Sequence, residues 1–196
     1  MNADTAFCSD ETFDQNEFRR WLDERPRGDI NHYELINGRI VMTPPAGWPH
    51  APIGAVLVRL VGEHVRKSKL GLVLESSAGY DLPSGEILEP DVSFISAERF
   101  AAGPKPAPGE FLRIVPNLVV EILSRSTARR DRTEKKTVYE RNGVDEYWLI
   151  DPERKSVTVF HLRQRSYDAG KTFTRGRVTS VVLPKLSIPL TEIFAL

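Results

Sequence analysis

The sequence predicts an α/β (α+β) fold in which a mixed sheet, flanked by helices, is built in the order α-β-β-β-α-β. Three observations carry it. Residues 52–69 place apolar side chains at Ile53, Val56, Leu57, Leu60, Val61 and Val65, a helical period, with Arg59, Arg66 and Lys67 on the opposite side. The run PNLVVEILS (residues 116–124) is apolar between a proline and a polar Ser-Arg-Ser-Thr, so it reads as a strand buried on both faces. Residues 129–142 then form a helix-length segment that Ser126 and Thr127 can cap and Gly143 stops, and residues 146–150 read as the next strand. Strand order is not fixed by these signals.

Taken from the amino terminus, residues 1–10 look frayed, and residues 12–22 predict a short helix with Phe13, Phe18, Trp21 and Leu22 on its apolar side. Asn37-Gly38 between HYELI and RIVMT is a two-residue hairpin signal, because both central positions of a type I′ turn need positive φ. A strand led by Gly71 covers residues 72–80. The next runs through EILEPDVSFIS, where Pro90 must sit at an edge, a bulge or the strand start. The Pro/Gly/Ala-rich stretch 101–110 is the one plausible linker, yet it interrupts two strands of one core, so residues 1–196 are expected to form a single domain. Residues 155–162 and 178–183 read as further strands around a polar, mobile stretch at 163–177.

Three ionisable residues stand out on this framework. Glu121 lies near the end of the doubly buried strand, where a carboxylate must be paired or bound to metal; a structural salt bridge and a metal ligand both satisfy that requirement. Asp91 follows Pro90 directly and is either a strand-entry aspartate or a second ligand. If the two strands pair, both carboxylates converge on one cation, with oxygen distances in the magnesium or calcium range. Lys135 shares a helical stripe with Asp131, Val138 and Tyr139, so it faces the sheet unless Asp131 and Lys135 form a solvated pair. Two hard oxygen ligands and one cation are the set that metal-assisted phosphodiester cleavage requires.

Charge adds a direction. The chain has no net charge, but residues 125–177 carry 14 Lys/Arg against 8 Asp/Glu. Such an asymmetry suits a phosphate backbone. Arg125, Arg129, Arg130 and Arg132 follow Glu121 closely and either reach phosphates beside a cleavage site or form a solvated helix start. Cys8 is the lone cysteine, which excludes an intrachain disulfide and a cysteine-rich zinc site. At 196 residues, 40% hydrophobic and 28% charged, the composition is that of an ordinary soluble domain. No apolar run reaches membrane-span length and the first ten residues lack a basic start and apolar run, so a cytoplasmic protein is expected.

The runs PDVSFIS, VPNLVVEILSRST and DRTEKKTVYERNGVDEYWLIDP together closely resemble the Uma family of restriction endonucleases, a bacterial branch of the PD-(D/E)XK nuclease superfamily. YELINGRIVMTPP with His50, and LPKLSIPLTEIFAL at the other end, extend the likeness from about Phe13 to Leu196. The resemblance implies a restriction-endonuclease-like core and a magnesium-dependent endonuclease, with manganese able to substitute. DNA is the substrate ahead of RNA, and the products carry 5′ phosphates. It makes Asp91 and Glu121 the motif carboxylates and Lys135 the catalytic lysine. It also brings in Glu34, as a further ligand or an orienting group for the lysine, and His50, as a proton carrier or a phosphate contact. The superfamily places its lysine two residues after the glutamate, where this chain has Leu123, so the role passes to the helix; Lys136 lies about 100° further round and leaves the Asp131 stripe. A homodimer is expected, since two related sites cut both strands of a duplex most simply. The alternative is an inactive nuclease-fold module that binds nucleic acid or protein.

Overall fold

The computed structural model describes residues 7–195. In chain order its elements begin with β1 (Phe7–Cys8), α1 (Gln15–Asp23), β2 (His32–Ile36), β3 (Arg39–Thr43), α2 (His50–Ser68), β4 (Gly71–Glu75), β5 (Tyr80–Asp81) and β6 (Ile87–Leu88). They continue with β7 (Val92–Ser96), α3 (Ala97–Ala102), β8 (Leu118–Ile122) and α4 (Ala128–Arg130). A π turn (Asp131–Lys135) joins α4 directly to α5 (Lys136–Asn142). The remainder is β9 (Glu146–Asp151), β10 (Ser156–Arg163), β11 (Ser166–Tyr167), β12 (Lys171–Phe173), β13 (Arg177–Thr179), β14 (Ser187–Pro189) and α6 (Leu190–Ile193).

The central sheet is seven-stranded, in the order β11-β10-β9-β8-β7-β4 with β12 also on β10. It is mixed, as predicted: β8 and β9 run parallel, whereas β7 is antiparallel to both β4 and β8. Parallel neighbours need a crossover, which the α4–π turn–α5 helix supplies. Alternation along β8 explains why its whole run is apolar. Leu118, Val120 and Ile122 pack with Ile53, Leu57, Val61 and Val65 of α2, while Val119 and Leu123 meet Val138 and Tyr139 of α5 on the other face. Trp148 and Ile150 of β9 join the first cluster, and Tyr147 and Leu149 the second.

A second sheet, ordered β1-β3-β2-β6-β5, lies on the amino-terminal side in sequence. Its hairpin turns where expected: Asn37 and Gly38 have φ of 50° and 76°, and Ile36 pairs with Arg39. The structure corrects several boundaries. The helix expected over 12–22 runs from Gln15 to Asp23, capped by Asp14, with Glu17 completing a reciprocal capping box. Of the residues expected to fray, Phe7 and Cys8 pair with Met42 and Val41, and residues 1–6 lie outside the description, as does Leu196.

The strand expected over 72–80 stops at Glu75, and Tyr80–Asp81 belongs to the other sheet; Ile87–Leu88 belongs there too, so the chain leaves the central sheet after β4 and returns to it only after Pro90. This crossing between sheets lets the β2 side chains reach the Asp91 region. Gly71 starts β4 at φ +151°, and a Cβ there would sit 2.1 Å from the Ile95 carbonyl oxygen, so the close approach of β4 to β7 demands glycine. The stretch expected to link strands begins as α3, whose first turn is capped by Ser96 through Arg99 N at 3.1 Å. The stretch expected to be mobile at 163–177 carries β11 and β12, both paired with β10. The strand expected over 178–183 ends at Thr179 as β13, which pairs with β14, Val178 opposite Ile188. Among the described residues no helix is long and apolar enough to cross a membrane.

Candidate active site

Asp91 stands at the mouth of β7, where Pro90 lacks a ladder N–H and hands the chain from one sheet to the other. The β7–β8 register pairs Val92 with Val120, so one step further sets Asp91 opposite Glu121 on the same face. Asp91 Oδ2 accepts a 2.6 Å bond from Ile122 N and lies 3.1 Å from His50 Nε2. Asp91 therefore closes the strand entry and also presents a carboxylate to the cleft. His50 is the first residue of α2 and reaches Asp91 from the opposite helix.

Glu121 is 3% exposed, and its Oε1 accepts from Lys135 Nζ at 2.9 Å and from the Tyr139 hydroxyl at 2.8 Å. Lys135 Nζ also lies 2.8 Å from Glu34 Oε1, which takes a further bond from Glu89 N at 2.9 Å. The inward-stripe reading of Lys135 thus holds, and the π turn keeps both Asp131 and Lys135 buried. Lys136 points elsewhere, its ammonium 4.1 Å from the Phe160 ring centre.

Electrostatics follow from crowding. Glu121, Glu34 and Asp131 act on the Lys135 ammonium and Asp91 acts in turn on Glu121, so carboxylates outnumber cations here. Burial drives the Glu121 carboxyl well above its ordinary pKa, against the pull of Lys135. Burial alone would lower Lys135, but Glu121, Glu34 and Asp131 outweigh it and hold the ammonium charged. Asp131 is pushed up to about 6, again chiefly by burial and opposed by Lys135. For His50, burial lowers the pKa, but the hydrogen bond and charge of Asp91 raise it more.

These groups line a cleft of about 1380 Å³ that brings Asp91, Glu121, Lys135, Glu34 and His50 together. Arg125, Arg130 and Arg132 line it as well; Arg129 is exposed outside it. Arg132 is partly engaged by Asp151 at 2.9 Å, and the highly exposed Arg125 reaches Glu153 at 3.4 Å. Sequence reasoning missed Asp131, Tyr139 and the His32–Glu89 pair as members of this network. His32 Nδ1 sits 2.8 Å from Glu89 Oε2. Asp131 and Tyr139 were on the Lys135 stripe, so their presence there was the available signal; nothing in the sequence pointed to Glu89.

Fold and site define a nuclease-type α/β architecture. The chain is similar to a crystal structure described as "a putative nuclease belonging to DUF820 from Anabaena variabilis", with TM-score 0.77 and 21% identity over 93% of this chain and 98% of that one. At that identity the likeness establishes the fold. The family model of Uma2, described as "putative restriction endonuclease", matches residues 15–191, and the chain belongs to the Uma2 family. Membership supports a nuclease function acting on nucleic acid. No curated protein matches the chain.

Proposed function

We propose that this protein is a magnesium-dependent endonuclease that hydrolyses phosphodiester bonds in DNA, working as a homodimer. The observation that carries the reading is the placement of Asp91 and Glu121 opposite one another, beside a buried lysine, at the base of an arginine-lined cleft.

The donor set fits magnesium. The bonds made by Asp91 and Glu121 use Oδ2 and Oε1, which leaves Oδ1 and Oε2 as the donors for a cation. Among the described residues no group of three His, Cys, Asp or Glu side chains is arranged as a metal cage. Magnesium commonly takes one or two carboxylates and completes its shell with waters and substrate phosphate, so a two-carboxylate site suits it. Bound there, the ion would supply Lewis acidity and a more acidic water.

The chain's own residues do the rest. Lys135, pinned between Glu34 and Glu121, presents a fixed positive charge toward the phosphate and offsets negative charge as it builds. Its immobility is the useful property, because a preorganised charge needs no rearrangement at the moment of reaction. His50 orients Asp91, and Arg125, Arg130 and Arg132 position the flanking phosphates.

Cleavage of plasmid, single-stranded DNA and RNA with magnesium or manganese, wild type against Glu121→Gln, tests the reading. Metal-dependent DNA cleavage lost in the variant supports it; equal cleavage by both proteins removes it. Sedimentation at micromolar concentration tests the dimer. A second reading, a nuclease fold that binds nucleic acid or protein without turnover, draws support from the Lys135 ammonium already being engaged by two carboxylates. Binding without metal and without cleavage would favour it.

A further inference from the structure

Trp48 is 76% exposed, while Trp148 is fully buried and bonded to Glu146, and Trp21 packs edge-on against Tyr33. An indole left in water forgoes a large apolar burial, so its setting needs a reason. Trp48 lines the same cleft as Asp91, Glu121 and the arginines Arg125, Arg130 and Arg132 around the start of α4. Its loop runs from the end of β3 at Thr43 to His50, and Pro44, Pro45 and Pro49 each fix φ, which makes the carrier of the ring stiff. Between them Ala46 and Gly47 offer no side chain that would cover the indole.

Distance along the chain places the Trp48 backbone near the chemistry, and the residue lines the same cleft. His50, two residues on, touches Asp91 at 3.1 Å. Two residues of backbone span at most about 7 Å, so the Trp48 backbone lies within about that distance of the His50 backbone. A nucleotide strand whose phosphate reached Asp91 and Glu121 would therefore bring a base one or two positions away up to the indole.

We propose that Trp48 is a stacking platform for an unpaired nucleobase, and that the substrate class of this cleft is nucleic acid with a single-stranded segment at the cleavage point. The proposal rests on the nucleic-acid reading of the same cleft. Bases inside a duplex have both faces covered by their neighbours, so an exposed indole gains contact only from a base that is out of the stack. Single-strand binders pair such an aromatic with cationic groups that follow the backbone, and Arg59, Arg125, Arg130, Arg132 and Arg154 line this cleft.

The test uses the full protein in EDTA, with tryptophan emission and anisotropy read as three probes are added. They are an oligothymidylate, an abasic strand with the same number of phosphates, and a blunt duplex. The oligothymidylate is expected to quench the emission, and the abasic strand and duplex are not. Trp48→Ala is expected to lose about 10- to 100-fold in affinity for the oligothymidylate, falling to the level of the abasic strand, while Trp48→Phe keeps most of it. Both variants should bind the abasic strand as the wild type does, since Trp48 is exposed and its replacement leaves the core intact. Equal affinity of wild type and Trp48→Ala for the oligothymidylate would overturn the platform, as would equal quenching by the duplex. Cleavage assays with magnesium separate the two readings. Cleavage indifferent to Trp48 retains the nuclease and removes the platform; Trp48-dependent binding without cleavage retains the platform and removes the nuclease. Binding of none of the three probes removes the platform, and cleavage with magnesium then decides the nuclease by itself.

Discussion

Lys135 Nζ lies 2.8 Å from Glu34 Oε1 although the two residues come from different layers, one from the π turn over the central sheet and the other from β2 of the amino-terminal sheet. With Glu121 at 2.9 Å on its other side, the ammonium is both a structural clamp and the proposed catalytic charge. Lys135→Ala is expected to destabilise the fold by about 3–5 kcal/mol, the usual cost of leaving buried charge without its partner, and to abolish cleavage. Lys136→Ala, which loses only a contact with Phe160, should stay within about 1 kcal/mol of wild type and remain active. Urea denaturation beside a cleavage assay distinguishes the two lysines.

Glu121 separates stability from chemistry through the choice of substitute. Glu121→Ala strands both Lys135 and the Tyr139 hydroxyl, so it is expected to cost about 3–5 kcal/mol and to confound any activity loss. Glu121→Gln keeps an acceptor for both donors and should fold with a smaller loss while losing cleavage. Thermal unfolding of the two variants should rank wild type, Gln, then Ala.

His50 should tune metal affinity without touching metal. Its contact with Asp91 at 3.1 Å orients the carboxylate, and loss of such a supporting partner commonly weakens a metal about 10- to 100-fold. His50→Ala is therefore expected to need that much more magnesium for half-maximal cleavage. Calorimetric titration with magnesium alone should show the same shift, and an unchanged affinity would remove His50 from the site. Asp91→Asn should bind no magnesium at all.

Asp131 gives the fold a pH dependence of definite sign. Its pKa rises from an ordinary 3.8 to about 6, so between those values the native protein holds a proton that the unfolded chain has released. The Asp131 contribution to stability must then fall as pH rises from about 4 to about 6, and Glu121, raised as well, pulls in the same direction. Asp131→Asn should make the decline with pH shallower, leaving the part that the raised Glu121 carboxyl contributes in the same direction, and should be more stable than wild type at pH 8. Melting temperatures of both proteins across pH 4–8 check it.

The fold was legible where pattern and burial coincide. Unbroken apolar character announced β8 because both of its faces are covered, and positive φ at Asn37 and Gly38 made the hairpin turn readable from two residues. Lys135 was legible as the odd residue on an inward stripe. The passage of the chain from one sheet to the other between Glu75 and Val92 was not, because Ser, Gly and Pro mark a break without saying which sheet the next strand joins. Lys171–Phe173 read as mobile because it is mostly exposed, its pairing with β10 being made by backbone groups that sequence does not display. The Glu89 contribution was hidden for a related reason: it enters through its own N–H to Glu34 and through His32.

Because Glu34 arrives early in the chain and Lys135 late, the pocket has no local precursor. A nascent polypeptide would have to complete the crossover helix before the first hairpin found its charged partner, and a fragment lacking either end would leave an ammonium or a carboxylate stranded in an apolar layer. The assembled site would accordingly arise late in folding, after both layers have docked, so that incomplete chains would lack it.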